Sequence, residues 1–164
     1  MSPRIRLLLQ VACLFAALAV PALLAQTDKI AVVPTGASPL GPYTPGIVAG
    51  DTLYVAGQVG RNKAGEIPQN FEEEVKQTLD NVNAILAAAG LAFEDAVAVQ
   101  VYLTDMELFQ RMNAVYIKYF PEPRPARTTV GIAKLVGTSR IEITVTAYKK
   151  GLSEKLRKAQ PVKR

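Results

Sequence analysis

From Phe71 to Ala89, apolar residues recur every three or four positions through Val75, Leu79, Val82, Ile85 and Leu86. That spacing sets one face of a helix against a core. Asn70 with Glu73 three residues on predicts its start, the Asn70 side chain accepting from an otherwise unpaired backbone N–H, and Gly90 predicts its end. Leu108, Met112, Val115, Tyr116 and Tyr119 repeat the pattern behind a Thr104/Glu107 capping pair, and Pro121 stops it.

Elsewhere the period is two. Leu53 and Val55 alternate with Tyr54 and Ala56, and Val97, Val99, Val101 and Leu103 alternate with small or polar neighbours. A β-branched run over 29–33 predicts a further strand, and Gly50-Asp51 predicts a hairpin turn into the strand over 52–58. Two last strands are predicted over 127–136 and 140–149, joined at Gly137-Thr138-Ser139. The order β, β-β, α, β, α, β-β predicts an α+β two-layer sandwich, a mixed sheet with two helices on one face. The other sheet face needs a cover, so homo-oligomerisation is expected.

Ahead of this domain, Arg4 and Arg6 precede a charge-free run from Leu7 to Leu24 that ends in small residues. The run reads as a secretory signal peptide over 1–25, cleaved after Ala25 or Ala22, with the protein secreted or periplasmic. The domain is expected over 26–150 and a basic, solvated tail over 151–164. Charge divides along those lines. The net +5 is made of +2 in the signal, −3 over 26–148 and +6 from Lys149 onward, so the domain itself is mildly acidic. No nucleic-acid partner is expected from a pI of that origin. Membrane contact is expected only through the signal peptide or, weakly, the basic tail.

The 164 residues include no histidine and one cysteine, Cys13, inside the leader. Serine–histidine and cysteine–histidine catalysis and histidine or multi-cysteine metal sites are thereby excluded. Carboxylates, arginine, lysine, tyrosine, hydroxyls and backbone groups remain. Arg127 and Glu142 stand out as charges within apolar or hydroxylic strands. One reading makes them solvent-facing strand positions or a structural ion pair. The other has the guanidinium grip a substrate carboxylate while the glutamate handles a water or proton.

The run Pro125-Ala126-Arg127-Thr128-Thr129-Val130, with Leu135 and Arg140-Ile141-Glu142-Ile143 after it, resembles the C-terminal signature of the reactive intermediate deaminase (RidA, YjgF) family. Gly41-Pro42-Tyr43, Ala56-Gly57-Gln58-Val59, Gln77 to Val82, Ala88 to Leu91 and Met112 to Tyr116 match that family's motifs in order, so the resemblance covers about 29–149. It implies a chorismate-mutase-like homotrimer with clefts between subunits, no cofactor and no metal. The implied activity is that of a 2-iminobutanoate/2-iminopropanoate deaminase, hydrolysing 2-imino acids or their enamines to 2-oxo acids and ammonia. Residue by residue, it implies that Arg127 binds the substrate carboxylate and Glu142 positions the attacking water. Tyr43 and Asn113 would line the cleft, and backbone at Gly57 and Thr129 would contact the ligand. Ala56, Thr129, Val136 and Thr144 stand where well-studied members often carry Ser, Cys, Pro and Glu. A non-catalytic module of the same fold, binding a small carboxylate or acting as a chaperone, is the alternative. RNA cleavage, claimed for some relatives, fits poorly with export and an acidic domain.

Overall fold

The computed structural model describes residues 29–37 and 41–159. The segment over 1–25 expected to be a signal peptide and the last five residues lie outside the described residues. Six strands form one sheet: β1 (Lys29–Val32), β2 (Gly46–Ala49), β3 (Thr52–Val59), β4 (Ala96–Leu103), β5 (Ala126–Gly131) and β6 (Ile141–Tyr148). Among the described residues, three α-helices accompany them: α1 (Phe71–Ala88), α2 (Phe109–Tyr116) and α3 (Leu152–Ala159). The spatial order is β1-β2-β3-β6-β4-β5. All neighbours are antiparallel except β4 and β5, which are parallel. The α+β architecture expected from the two periodicities is therefore present.

Helix α1 forms where its pattern predicts. Asn70 Oδ1 accepts from the Glu73 N–H at 3.0 Å, a cap worth about 1 kcal/mol. Gly90, at φ +69°, ends the helix in the left-handed region that glycine enters freely. Every apolar position of the predicted stripe is buried, against Leu53, Val55, Ile143 and Val145 of the sheet among others. Gly46 allows the close approach, because a Cβ there would stand 2.8 Å from the Ile85 side chain.

Several expectations are corrected. The two last strands do not form a hairpin, because β4 lies between them. The strand expected to run to 136 ends at Gly131, and Val136 is exposed. Parallel pairing of β4 with β5 requires a crossover, and α2 is that crossover. Secondly, the α2 region begins not at a Thr104 cap but at Asp105, whose carboxylate accepts from the Glu107 N–H at 2.9 Å and opens a 3-10 turn over Met106–Leu108. Thirdly, the tail expected to be solvated carries α3. Gly151 N–H donates to Asp51 Oδ1 at 3.0 Å, Leu152 is buried, and Leu156 packs on the same core. Val97, expected to share the apolar face, instead points outward at an irregularity between Ala96 and Ala98.

Polar contacts then fix the helices against one another. Arg111 on α2 donates to both oxygens of Glu72 on α1, at 2.6 and 2.7 Å. The Arg111 guanidinium draws the Glu72 carboxyl down to about 2. Tyr119 Oη donates to Asp80 at 2.9 Å, and burial with that bond pushes its phenol up to about 12. Glu74 of α1, fully buried, accepts from the Arg140 backbone N–H at 2.7 Å and from its Nε at 2.6 Å. Arg140, placed by the sequence at the start of the strand over 140–149, lies just ahead of β6 and turns toward the helices.

Candidate functional site

The parallel β4–α2–β5 crossover lays α2 over the edge of the sheet, directly above the start of β5. Arg127 is paired in register with Val99, and Thr129 with Val101, so both share the helix-covered face with those buried valines. On α2, Phe109, Asn113 and Tyr116 stand at i, i+4 and i+7, one stripe of the helix surface. All three meet Arg127. Its Nη1 donates to Asn113 Oδ1 at 2.8 Å. The guanidinium carbon lies 4.6 Å from the Tyr116 ring centroid and 5.7 Å from that of Phe109. Such stacking favours a cation and holds its plane without using its N–H groups. Five donors less one leaves four for a ligand.

A cleft of about 300 Å³ opens at this point, lined by Asn113, Tyr116, Ile117, Arg124, Pro125 and Arg127. Two of the hydroxyls there or nearby have no hydrogen-bond partner: Tyr116 Oη and Thr129 Oγ1. Burial pushes the Tyr116 phenol up to about 12 against the opposing pull of Arg127 and Arg124. At neutral pH it is a donor in want of an acceptor. Arg124 itself bonds Glu122 through its guanidinium and, at 3.2 Å, its backbone N–H.

The remaining predicted residues gather elsewhere. Glu142 is in register with Tyr102 on one side and Val59 on the other, while its neighbours Ile141 and Ile143 are buried under the helices. Its side chain therefore projects from the uncovered face. The register of β3 against β6 shifts between Val55 and Gln58, and this bulge brings Gly57 under the Glu142 carboxylate. A Cβ on Gly57 would stand 2.7 Å from the Glu142 Cδ. Tyr43, half exposed, sits in the loop tied to the same bulge by the Ala56 N–H to Pro45 carbonyl bond of 2.9 Å.

The six predicted residues thus form two groups. Asn113, Arg127 and Thr129 face the helices, while Gly57 and Glu142 belong to the open face with Tyr43 nearby. Arg127 and Glu142 are two strands apart and offset by three residues along β4. With strand spacing near 4.8 Å and a rise near 3.3 Å, their Cα atoms are roughly 14 Å apart. Within one chain the sheet separates them. The sequence pointed to Arg127 and Asn113 but missed the stacking partners. Tyr116 was legible only as a core position of the α2 stripe, and Phe109 not at all. Their i, i+4, i+7 relation to Asn113 is the signal that could have found them.

The open face carries Tyr54, Val97, Val130 and Tyr148, each at least 39% exposed, between Thr128, Glu142, Thr144 and Thr146. Thr144 Oγ1 donates to Gln100 across the strands at 2.8 Å.

Comparison with known proteins gives one consistent answer. A family model described as endoribonuclease L-PSP matches residues 35–149. A RutC family protein of Pyrococcus horikoshii is 44% identical over 113 residues, covering 68% of this chain and 90% of the relative. A 2-iminobutanoate/2-iminopropanoate deaminase of Escherichia coli K12 is 37% identical over 115 residues, with coverages of 68% and 90%. The solved structure of Escherichia coli TdcF with bound serine superposes with a TM-score of 0.66 at 33% identity, covering 68% of this chain and 91% of that one.

Proposed function

This chain belongs to the endoribonuclease L-PSP family, the group also called RidA, YjgF or RutC, and on that premise we propose that it hydrolyses 2-imino acids to 2-oxo acids and ammonia. The observation that carries this reading is the presentation of Arg127. Stacked on Tyr116 and held by Asn113, it offers a fixed guanidinium with free donors at the wall of a small cleft. That arrangement suits a planar carboxylate gripped through two parallel hydrogen bonds.

The reaction asks little more than orientation. Water adds to the C2 carbon of the C=N bond, its oxygen forming the new C–O bond as the π pair moves to nitrogen. A proton passes from the water to that nitrogen. The tetrahedral adduct then collapses: its hydroxyl proton passes to the nitrogen, the oxygen's electron pair forms C=O, and the C–N bond breaks to release ammonia. No electrons are exchanged with another molecule. A carboxylate that accepts the proton of the attacking water is the one further group required, and Glu142 has that chemistry. Because the sheet separates Glu142 from Arg127 in one chain, the reading includes assembly. The Glu142 group of one copy meets the Arg127 group of another, in a homotrimer with three equivalent clefts. Export is part of the same proposal, supported by the charge-free run over 7–24, with the imines arising from amine or amino-acid oxidation outside the cytoplasm.

The separation of the two charges also favours a second reading, in which the Arg127 cleft alone binds a small carboxylate without turnover. One assay divides them. An amino-acid oxidase generates 2-imino acid, semicarbazide traps what survives, and trapped product is followed with and without the protein. Acceleration that falls at least about a hundredfold in Arg127→Ala is expected. Equal rates for the folded wild type and the blank would leave only the binding module.

A further inference from the structure

We propose that Arg124 makes the Arg127 cleft selective for imino acids that carry a second carboxylate. This rests on the deaminase reading and names its substrate class. Arg124 and Arg127 both line one small cleft, and so does Tyr116, whose buried Oη is unpaired. The part of the cleft that one chain supplies has a volume of about 300 Å³, at the lower end of the range for ligand sites, and both arginines line it. Arg127 is held by Tyr116 and Asn113, which line the cleft with it.

Arg124 is arranged differently. Pro125 restricts the backbone on either side of the Arg124–Pro125 bond, and both residues line the cleft. Its only described charge partner is Glu122, two residues away, whose side chain is 68% exposed. A solvated pair of this kind contributes little and yields readily to a better acceptor. A monocarboxylic imine would leave Arg124 with Glu122. An imine with a second carboxylate would gain a second charge-assisted bond there. Glu122 then acts as a placeholder that repels such substrates slightly while holding Arg124 in position.

The test compares imines generated in situ from alanine, aspartate and glutamate, using the full chain. The quantity read is the ratio of kcat/KM for the dicarboxylic imines to that for 2-iminopropanoate. The wild type is expected to favour the dicarboxylic imines, and Arg124→Ala to lower the ratio about tenfold, the scale of one charge-assisted hydrogen bond. Glu122→Gln is expected to raise it. A ratio unchanged by Arg124→Ala overturns the proposal, even with brisk turnover of 2-iminopropanoate. Calorimetric binding of 2-oxoglutarate against 2-oxobutanoate separates this from the parent reading. Arg124-dependent preference for 2-oxoglutarate without any imine turnover would keep the selectivity and remove the catalysis. Absence of preference in both assays would remove the selectivity.

Discussion

At the residue scale, Tyr116 joins two roles that usually conflict. Its ring is core, stacked on Phe120 at 4.3 Å and on the Arg127 guanidinium, while its hydroxyl is left without a partner. A buried hydroxyl lacking a bond costs about 1–3 kcal/mol, a cost the free protein carries and a ligand could relieve. Tyr116→Phe is therefore expected to raise the unfolding free energy of the free protein by up to about 1 kcal/mol and yet weaken carboxylate binding. Thermal unfolding and the KM for imine read these two effects, and a loss of both stability and affinity would show that the hydroxyl has a partner. The sequence revealed the charge of Arg127 because an arginine in a strand interrupts an apolar alternation. It concealed Tyr116, because an aromatic at helical spacing satisfies the core pattern whether or not it also holds a cation. Gly57 was legible only through resemblance. Its physical reason is the Glu142 carboxylate lying where a Cβ would be.

At the element scale, periodicity placed α1 and the β3 and β6 segments well, because each has one face that must be buried. It could not say which strands are neighbours, since alternation is the same for a hairpin as for strands separated by a third. The decisive bonds are remote: Ile132 N–H to Leu103 carbonyl at 2.8 Å, and Thr104 N–H to Arg140 carbonyl at 3.0 Å, keep β5 and β6 on opposite sides of β4. Helix α3 was hidden because a core contact through Leu152 and Leu156 is weak against a run of lysines and arginines. The junction of α1 with β6 depends on Glu74, a carboxylate in the buried stripe of a helix. Besides Glu74, Arg140 donates to the Pro68 and Gln69 carbonyls, each at 3.0 Å, closing the loop ahead of α1. Removing Glu74 takes the acceptor from the Arg140 backbone N–H and Nε, while the one-third exposed guanidinium keeps its two carbonyls. Glu74→Ala is expected to destabilise the fold by about 2 kcal/mol in chemical denaturation, and a change below about 1 kcal/mol would mean that water replaces the carboxylate.

At the scale of the whole molecule, the sheet has a helix-covered face that presents Arg127 and an uncovered face that presents Glu142. If the proposed site joins the two from different copies, defects in each can complement. Arg127→Ala and Glu142→Gln, each inactive alone, are mixed in equal amounts, unfolded and refolded together. In a cyclic assembly about one quarter of the sites then pair an intact arginine with an intact glutamate. Recovery near a quarter of wild-type activity is the expected outcome, and none at all would place both groups in one chain's site. The division between faces has a consequence for inheritance. In the proposed ring, any sequence variant able to enter would exchange half-sites with its neighbours, so two diverged gene copies expressed together would create mixed clefts that neither encodes alone. Selection on one copy's arginine side would then act through the other copy's glutamate side.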